Sequence, residues 1–466
     1  MAFPCWFKKN FPFLKYPIHL ETKHGHMLSY PVRIALIAAL GGFLFGFETA
    51  VISGAEKTIQ QLWKLDSVWQ GLTVASSLIG TVIGSIVAGK PAQLYGRKKV
   101  LIFIAVLYVF SALGCALSSV WLLFLTFRFL GGVAVGVSSV VGPMYIAEIA
   151  PAQLRGRLVG FFQLNIVTGI FIAYLSNYFF IGLGENSWRW MLGVMAVPAG
   201  IFWLLLQSIP ESPRWLALNN RDEEAKLILT RIGESDVNKA IADIHAGSHH
   251  TSKESLFTKK FIKPILFAVL LAMFNQLAGI NAIIYYAPRI FEMAGITKNA
   301  AFLQSVSIGA TNLLFTLLAM TVIDRFGRKK LLTIGSVGMI VFLALAAFNI
   351  ENTAGGGGYA LLACLIGFIA FFAFSQGAVI WVFISEIFPN SVRSQGQSLG
   401  SFTHWIMAVI VSWIFPVVAE KVPHGGKIAF LFFSLMMLLH LIFVAKFLPE
   451  TKGRSLENIQ KDLGIA

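Results

Sequence analysis

Charge is scarce in this chain. Asp, Glu, Lys and Arg make up 13% of its 466 residues, where a soluble domain of ordinary composition carries about a quarter. So few charges cannot cover a water-facing surface of this size, which excludes soluble enzymes, secreted disulfide scaffolds and disordered regulators. Cysteine is almost absent. Cys5, Cys115 and Cys364 are scattered, two of them inside apolar runs, so neither a disulfide framework nor a metal site is indicated. There is no His–Asp–metal set, no nucleophile–base pair and no glycine-rich phosphate loop, so the chain does not read as an enzyme and no cofactor is implied. Acidic residues are fewer than basic ones, 22 against 37. In a soluble protein that excess would point to nucleic acid; in a membrane protein it reports the Lys and Arg that hold loops in the cytoplasm. What the chain does have is apolar surface: 56% hydrophobic residues, with 41 Phe and 42 Gly. It reads as an all-α integral membrane protein embedded in lipid, with no role for nucleic acid.

A spanning helix needs about 20 apolar residues. Stretches of that kind fall at 33–54, 70–90, 100–118, 120–147, 157–181 and 190–209, then at 264–287, 302–323, 331–350, 359–385, 397–418 and 427–448. These are twelve expected spans. The interval 210–263 between the two sets is polar, and the periodicity from Arg221 to Ile232 predicts short surface helices there. The expected organisation is a cytoplasmic segment 1–32, a six-helix bundle 33–209, a cytoplasmic linker 210–263, a second bundle 264–448 and a tail 449–466. An inside N-terminus leaves Lys57, Lys64, Arg189, Arg289, Lys298, Lys421 and Lys427 outside and Arg128 within a span. The remaining Lys and Arg are then inside, so both termini are expected in the cytoplasm. Residues 1–26 have no apolar core long enough for a signal peptide. Met27 stands just before the first span as an alternative start, which leaves open whether the segment is a working tail.

The two bundles repeat one another. Gly96-Arg97-Lys98 follows span 2 and Gly327-Arg328-Lys329 follows span 8, an offset of 231. Glu148 and Arg155 after span 4 match Glu386 and Arg393 after span 10 at 238, and Pro210-Glu211 matches Pro449-Glu450 at 239. Three signatures in one order imply a tandem duplication of six-span units in the same orientation, as in transporters with a site at the repeat interface.

The strings "GRKK" and "DRFGRKK" after spans 2 and 8, "PESPRW" at 210–215 and "PETKGRS" at 449–455 resemble the sugar porter family of the major facilitator superfamily. That family includes proton-coupled xylose and galactose symporters and glucose facilitators, and the resemblance runs from about residue 33 to 459. It implies the superfamily fold, alternating access and a monosaccharide substrate.

The resemblance also implies roles for particular residues. Arg97, Glu148, Arg155, Glu211 and Arg214 in the first half, and Asp324, Arg328, Glu386, Arg393 and Glu450 in the second, would form a cytoplasmic latch holding the outward-facing state. Arg suits such a latch because its fork grips a carboxylate at two points. Gln93 stands where the second half has Asp324, so the first latch is expected to be the weaker one. Glu48 in span 1 and Arg128 in span 4 are the charges expected deep in the membrane, where an ionisable side chain costs at least about 3 kcal/mol unless it is paired inside the bundle. Proton-coupled members of the family have an acid, usually Asp, facing an Arg at these positions; facilitators lack the acid. A carboxyl holds its proton more tightly when desolvated and less tightly beside a guanidinium, so movement of Arg128 would decide whether Glu48 is protonated.

For the sugar, the family's binding residues correspond here to Asn275, Gln276 and Asn281 on span 7, with Tyr285 beside them. Gln163 on span 5, Asn312 on span 8, Trp381 on span 10, Trp405 on span 11 and Phe45 on span 1 also match. Amides supply forks for hydroxyls and aromatic rings supply a flat face. Several positions depart from the family pattern. Asn275 stands where a second Gln is common, and His404 where an amide is usual. Ala378 replaces a usual Pro and is expected to stiffen span 10. His404 could bind hydroxyls, shift a pH profile or satisfy a neighbouring helix. For any one amide, a hydrogen bond between helices is the alternative.

The leading expectation is a sugar–proton symporter, monomeric as a functional unit, carrying a monosaccharide together with protons across a bacterial inner membrane. Short outside loops without an N-x-Ser/Thr sequon favour that location. A uniporter with a structural Glu48, or a transporter-like sugar sensor, remain open at this stage, as does the identity of the sugar.

Overall fold

A computed structural model describes residues 30–151, 154–249, 254–351, 357–389, 391–452, 454 and 465. The question of residues 1–26 therefore lies outside the described residues. Among the described residues, twelve helical segments are long and apolar enough to cross a membrane. Spans 1 to 6 are Tyr30–Leu62, Ser67–Val87, Arg97–Leu117, Trp121–Ile149, Arg155–Phe180 and Ser187–Gln207. Spans 7 to 12 are Lys259–Met293, Lys298–Ile323, Arg328–Asn349, Gly358–Ile387, Arg393–Lys421 and Gly425–Phe447. Between the two sets the chain forms the short helices Pro213–Leu218, Asp222–Ile232 and Val237–His249, as the polar linker predicts. The second begins with Asp222, Glu223 and Glu224 and stops at Gly233 in the left-handed conformation, the charge and turn chemistry that start and end a helix.

Because the chain crosses twelve times, Arg97 and Arg328 lie at one end of the molecule, here called the basic end, and Glu56, Arg289 and Glu420 at the opposite, far end. Glycines bring the helices of the first bundle into backbone contact. A Cβ on Gly46 would stand 1.8 Å from the carbonyl oxygen of Ile166, and one on Gly132 equally close to that of Ser77. Spans 1 and 5, and spans 2 and 4, pack at these points.

Span 7 is broken twice, at Gly279 (φ +84°) and at Tyr286 (φ −120°, ψ 18°). Pro288 has no N–H to offer the carbonyl of Ile284; the Tyr174 hydroxyl, on span 5 of the other bundle, donates to that oxygen at 2.6 Å. Pro416 in span 11 likewise frees the carbonyl of Ser412, and the Tyr286 hydroxyl donates to it at 3.1 Å. Each proline thus creates an acceptor that a tyrosine from another helix fills, so two prolines become points of attachment.

Span 10 departs from expectation. With Ala378 in place of a proline it was expected to be stiff, yet it breaks at Ser375 (φ −119°, ψ −89°). The Ser375 hydroxyl donates to the carbonyl of Phe371 at 2.6 Å, while the Ser375 N–H bonds Phe372 instead. The side chain has taken the carbonyl that the helical backbone would use, which bends a helix without proline.

Candidate functional site

Where spans 7, 10 and 11 face span 1, four polar side chains meet three aromatic rings. Asn281 Nδ2 donates to Gln276 Oε1 at 2.8 Å, and Gln276 Nε2 donates to Asn275 Oδ1 at 3.1 Å. The same Gln276 nitrogen lies 3.1 Å from His404 Nε2, which accepts when the ring proton is on Nδ1. The break at Gly279 allows this chain of bonds: it separates Asn275 and Gln276 from Asn281 by a tight turn and returns their side chains to one another. The His404 ring lies 5.0 Å from that of Trp381 and 4.9 Å from that of Trp405, centroid to centroid. Phe45, from the first bundle, reaches Trp405 at 5.6 Å. Asn275 Nδ2 is buried without a hydrogen-bond partner. An unmet donor of this kind costs about 1–3 kcal/mol, so the cluster favours any ligand that brings an acceptor to it. Trp381 is 37% exposed while Trp405 is 6% exposed, so the aromatic wall has an open side at span 10.

One turn along span 1 from Phe45 stands Glu48. It is buried, as is Arg128, and Arg128 Nη1 donates to Glu48 Oε1. A Cβ on Gly131 would lie 3.0 Å from that oxygen, so a glycine on span 4 makes room for the longer acid. Arg128 spends one nitrogen on the pair; its Nε and Nη2 are buried without partners. A guanidinium with two idle donors in a dry site can re-pair as its surroundings shift.

Comparison with known proteins gives the family. Residues 34–463 match the family model described as "Sugar (and other) transporter". An arabinose–proton symporter of Bacillus subtilis is 36% identical over 465 residues, covering 97% of this chain and 99% of that protein. The chain is a sugar porter of the major facilitator superfamily. The inward-open structure of the xylose transporter XylE from E. coli matches with a TM-score of 0.83 at 34% identity, over 93% of this chain and 99% of that one. The XylE structure bound to 6-bromo-6-deoxy-D-glucose matches at 0.77 and 35% identity, with the same coverage. The porter has the superfamily fold of two parallel six-helix repeats.

Of the expected sugar residues, the porter brings Asn275, Gln276, Asn281, His404, Trp381, Trp405 and Phe45 together. Tyr285 is buried on span 7. Gln163 is half-buried and Asn312 buried; among the described residues no hydrogen bond joins either to the cluster.

At the basic end, four of the expected latch residues pair. Arg97 grips Glu148 through Nε and Nη2 at 2.9 and 2.8 Å, and Arg328 Nη2 meets Glu386 Oε1 at 2.9 Å. Each pair lies within one bundle, and at the far end Arg289 meets Glu56 across the bundles. Glu211 and Glu450 cap helices: Glu211 accepts from the backbone N–H groups of Arg97 and Lys98, and Glu450 from those of Arg328 and Lys329. These carboxylates sit at helix N-termini, where exposed N–H groups favour negative charge. Gly96 (φ +94°) and Gly327 (φ +88°) make the turns, and a Cβ on either would meet the capping carboxylate within 3 Å. Arg155 and Arg214 are exposed. Arg393 Nε lies 3.4 Å from the Phe388 carbonyl, and the side chain of Asp324 lies outside the described residues.

Sequence reasoning missed two things. Ser212 and Thr451 donate to Glu148 and Glu386, each at 2.6 Å. The signal was present, since a hydroxyl residue follows the repeated Pro-Glu in both halves. Glu56 and Arg289 are buried at the far end and joined across the bundles; their positions at the ends of apolar runs made them look like loop charges.

Proposed function

We propose that the porter is a monosaccharide–proton symporter for a hexose or pentose that works by alternating access. The observation that carries this reading is the placement of Phe45 and Glu48 one turn apart on span 1. Phe45 touches the aromatic wall of the polar cluster and Glu48 holds Arg128. A sugar that moves the wall moves the helix that carries the acid. Asn275, Gln276, Asn281 and His404 bind hydroxyls, and Trp381, Trp405 and Phe45 face the ring; Gln163, Asn312 and Tyr285 are proposed to join them when the bundles close on the sugar. Glu48 carries the proton, and its distance from Arg128 decides when it is held.

The residues 33–209 and 264–448 act as the two rocking units, with the basic ends and both termini in the cytoplasm. The Arg97–Glu148 and Arg328–Glu386 pairs keep each unit rigid as it rocks. Arg155, Arg214, Asp324 and Arg393 are the remaining candidates for contacts between units at that end. The membrane is a bacterial inner membrane and the functional unit a monomer. Phe103 and Phe110, two turns apart on span 3, are largely exposed and form a lipid-facing stripe. The bacterial symporters among its relatives and the acid on span 1 favour symport over facilitated diffusion.

Uptake in a transport-null host tests the reading. Accumulated sugar should be lost on adding a protonophore, and competition by unlabelled pentoses and hexoses should identify the substrate; accumulation that survives the protonophore would reject proton coupling. Within the site, Gln276→Ala removes the residue that links Asn275, Asn281 and His404. Loss of its bonds, about 1–3 kcal/mol, should weaken sugar affinity by roughly fivefold to 150-fold, measured by tryptophan quenching on folded protein. Unchanged affinity would move the sugar site elsewhere.

A further inference from the structure

The far end of span 1 carries a second buried acid. Glu56 lies eight residues beyond Glu48, about 12 Å farther along the helix at 1.5 Å per residue. Its partner comes from the other bundle. Arg289, near the outer end of span 7, donates through Nε to Glu56 Oε1 at 2.9 Å and places Nη2 2.8 Å from Oε2. Its third nitrogen, Nη1, donates to Glu420 Oε1 on span 11 at 2.8 Å. Gln60 on span 1 closes the ring, donating to Glu420 at 3.0 Å and accepting from Arg289. From span 2, Gln70 Nε2 donates to Glu56 Oε2 at 2.7 Å. One helical position from Glu56, Lys57 pairs with Glu292 of span 7. Adjacent residues of opposite charge on span 1 thus meet two residues of opposite charge, one turn apart, on span 7.

We propose that Arg289 is the outer gate residue of this porter, whose fork on Glu56 holds the outer ends of the bundles together and sets how often the empty carrier opens outwards. A sugar entering from outside must pass between spans 1 and 7, so this contact has to break in every cycle. Each feature suits a contact that breaks and re-forms. Planar two-point geometry makes the closed state specific in register. A cavity of about 530 Å³ lies alongside, lined by Glu56, Lys57, Arg289, Glu292 and Lys298 among others, so water reaches the charges as the ends part. Solvation on opening then offsets much of the lost attraction, which keeps the two states close in free energy. Removing one partner breaks that balance on one side only. Without Arg289, the closed state buries Glu56 with no cation, while the open state exposes it to water at little cost.

The inference rests on alternating access, but its test uses neither sugar nor proton flux, so it can fail independently of the symport reading. Spin labels are placed at Lys64→Cys and Lys298→Cys, both exposed at the outer ends of opposite bundles. Cys5 is replaced by Ser, while Cys115 and Cys364 are buried. Arg289→Ala should move the distance distribution to longer values, raising the ratio of open to closed carrier by at least tenfold. Arg289→Lys, which keeps a charge but loses the fork, should move it in the same direction by less, and serves if the alanine variant does not fold. The swapped pair Glu56→Arg with Arg289→Glu, made with Glu420→Gln so that no like charge faces the new carboxylate, should return the distribution toward that of the parent. Unchanged distances in Arg289→Ala or Arg289→Lys, or a swapped pair no more closed than the single variant, would overturn the proposal.

Discussion

Glu48→Gln should abolish sugar accumulation while leaving sugar exchange nearly intact. Glutamine keeps the length and polarity of the side chain but cannot release a proton, so it mimics the loaded acid. The polar cluster on spans 7, 10 and 11 is built by other residues and should still bind sugar. Exchange requires only that the loaded carrier reorient, and the neutral amide permits that. Accumulation requires the empty carrier to return after giving up its proton, a step the variant lacks. In proteoliposomes with an imposed pH gradient, the variant should exchange labelled for unlabelled sugar at a rate near the parent's and concentrate none. A variant that still concentrates sugar would show that Glu48 is not the proton carrier.

Arg128→Ala should fail in a different way, and more severely in stability. It leaves Glu48 buried without the cation that balances it, and breaking a buried pair from one side costs about 3–5 kcal/mol. Removing both charges costs far less, so Glu48→Leu with Arg128→Leu should recover most of that loss in urea or thermal unfolding of detergent-solubilised protein. Neither variant should couple. The contrast separates the two roles of the pair, because the double variant folds and still accumulates no sugar. Equal destabilisation of single and double variants would mean that packing, rather than charge balance, holds spans 1 and 4 together here.

Much of this was legible in the sequence, and what was not has physical causes. Twelve apolar stretches gave twelve spans, since a bilayer requires length and composition that few other contexts need. The repeat was readable because both halves cap the same helix with the same residues: Glu211 and Glu450 stand over Arg97 and Arg328 in matching turns. The linker helices were legible in their periodicity. Helix breaks were not. Pro288 and Pro416 were visible, but the tyrosines that fill the freed carbonyls come from distant helices. Ser375 broke span 10 through a side-chain bond to its own helix, a competition that a serine loses in most helices. Pairing across the bundles was the least legible feature. Arg289 sits just beyond the end of an apolar run, and only the packing of spans 1, 7 and 11 shows that it is buried among Glu56, Gln60 and Glu420.

The central claim is that sugar and proton move together, and the most direct measurement is sugar-driven proton movement. Purified porter is placed in liposomes holding a pH-sensitive dye, with no initial pH gradient and the membrane potential clamped by potassium and valinomycin. Addition of an outside sugar that the competition panel identifies as substrate should acidify the lumen at a rate proportional to sugar entry. The signal should disappear in Glu48→Gln. Sugar entry at the parental rate with no change in lumenal pH would contradict the account and make the protein a facilitator.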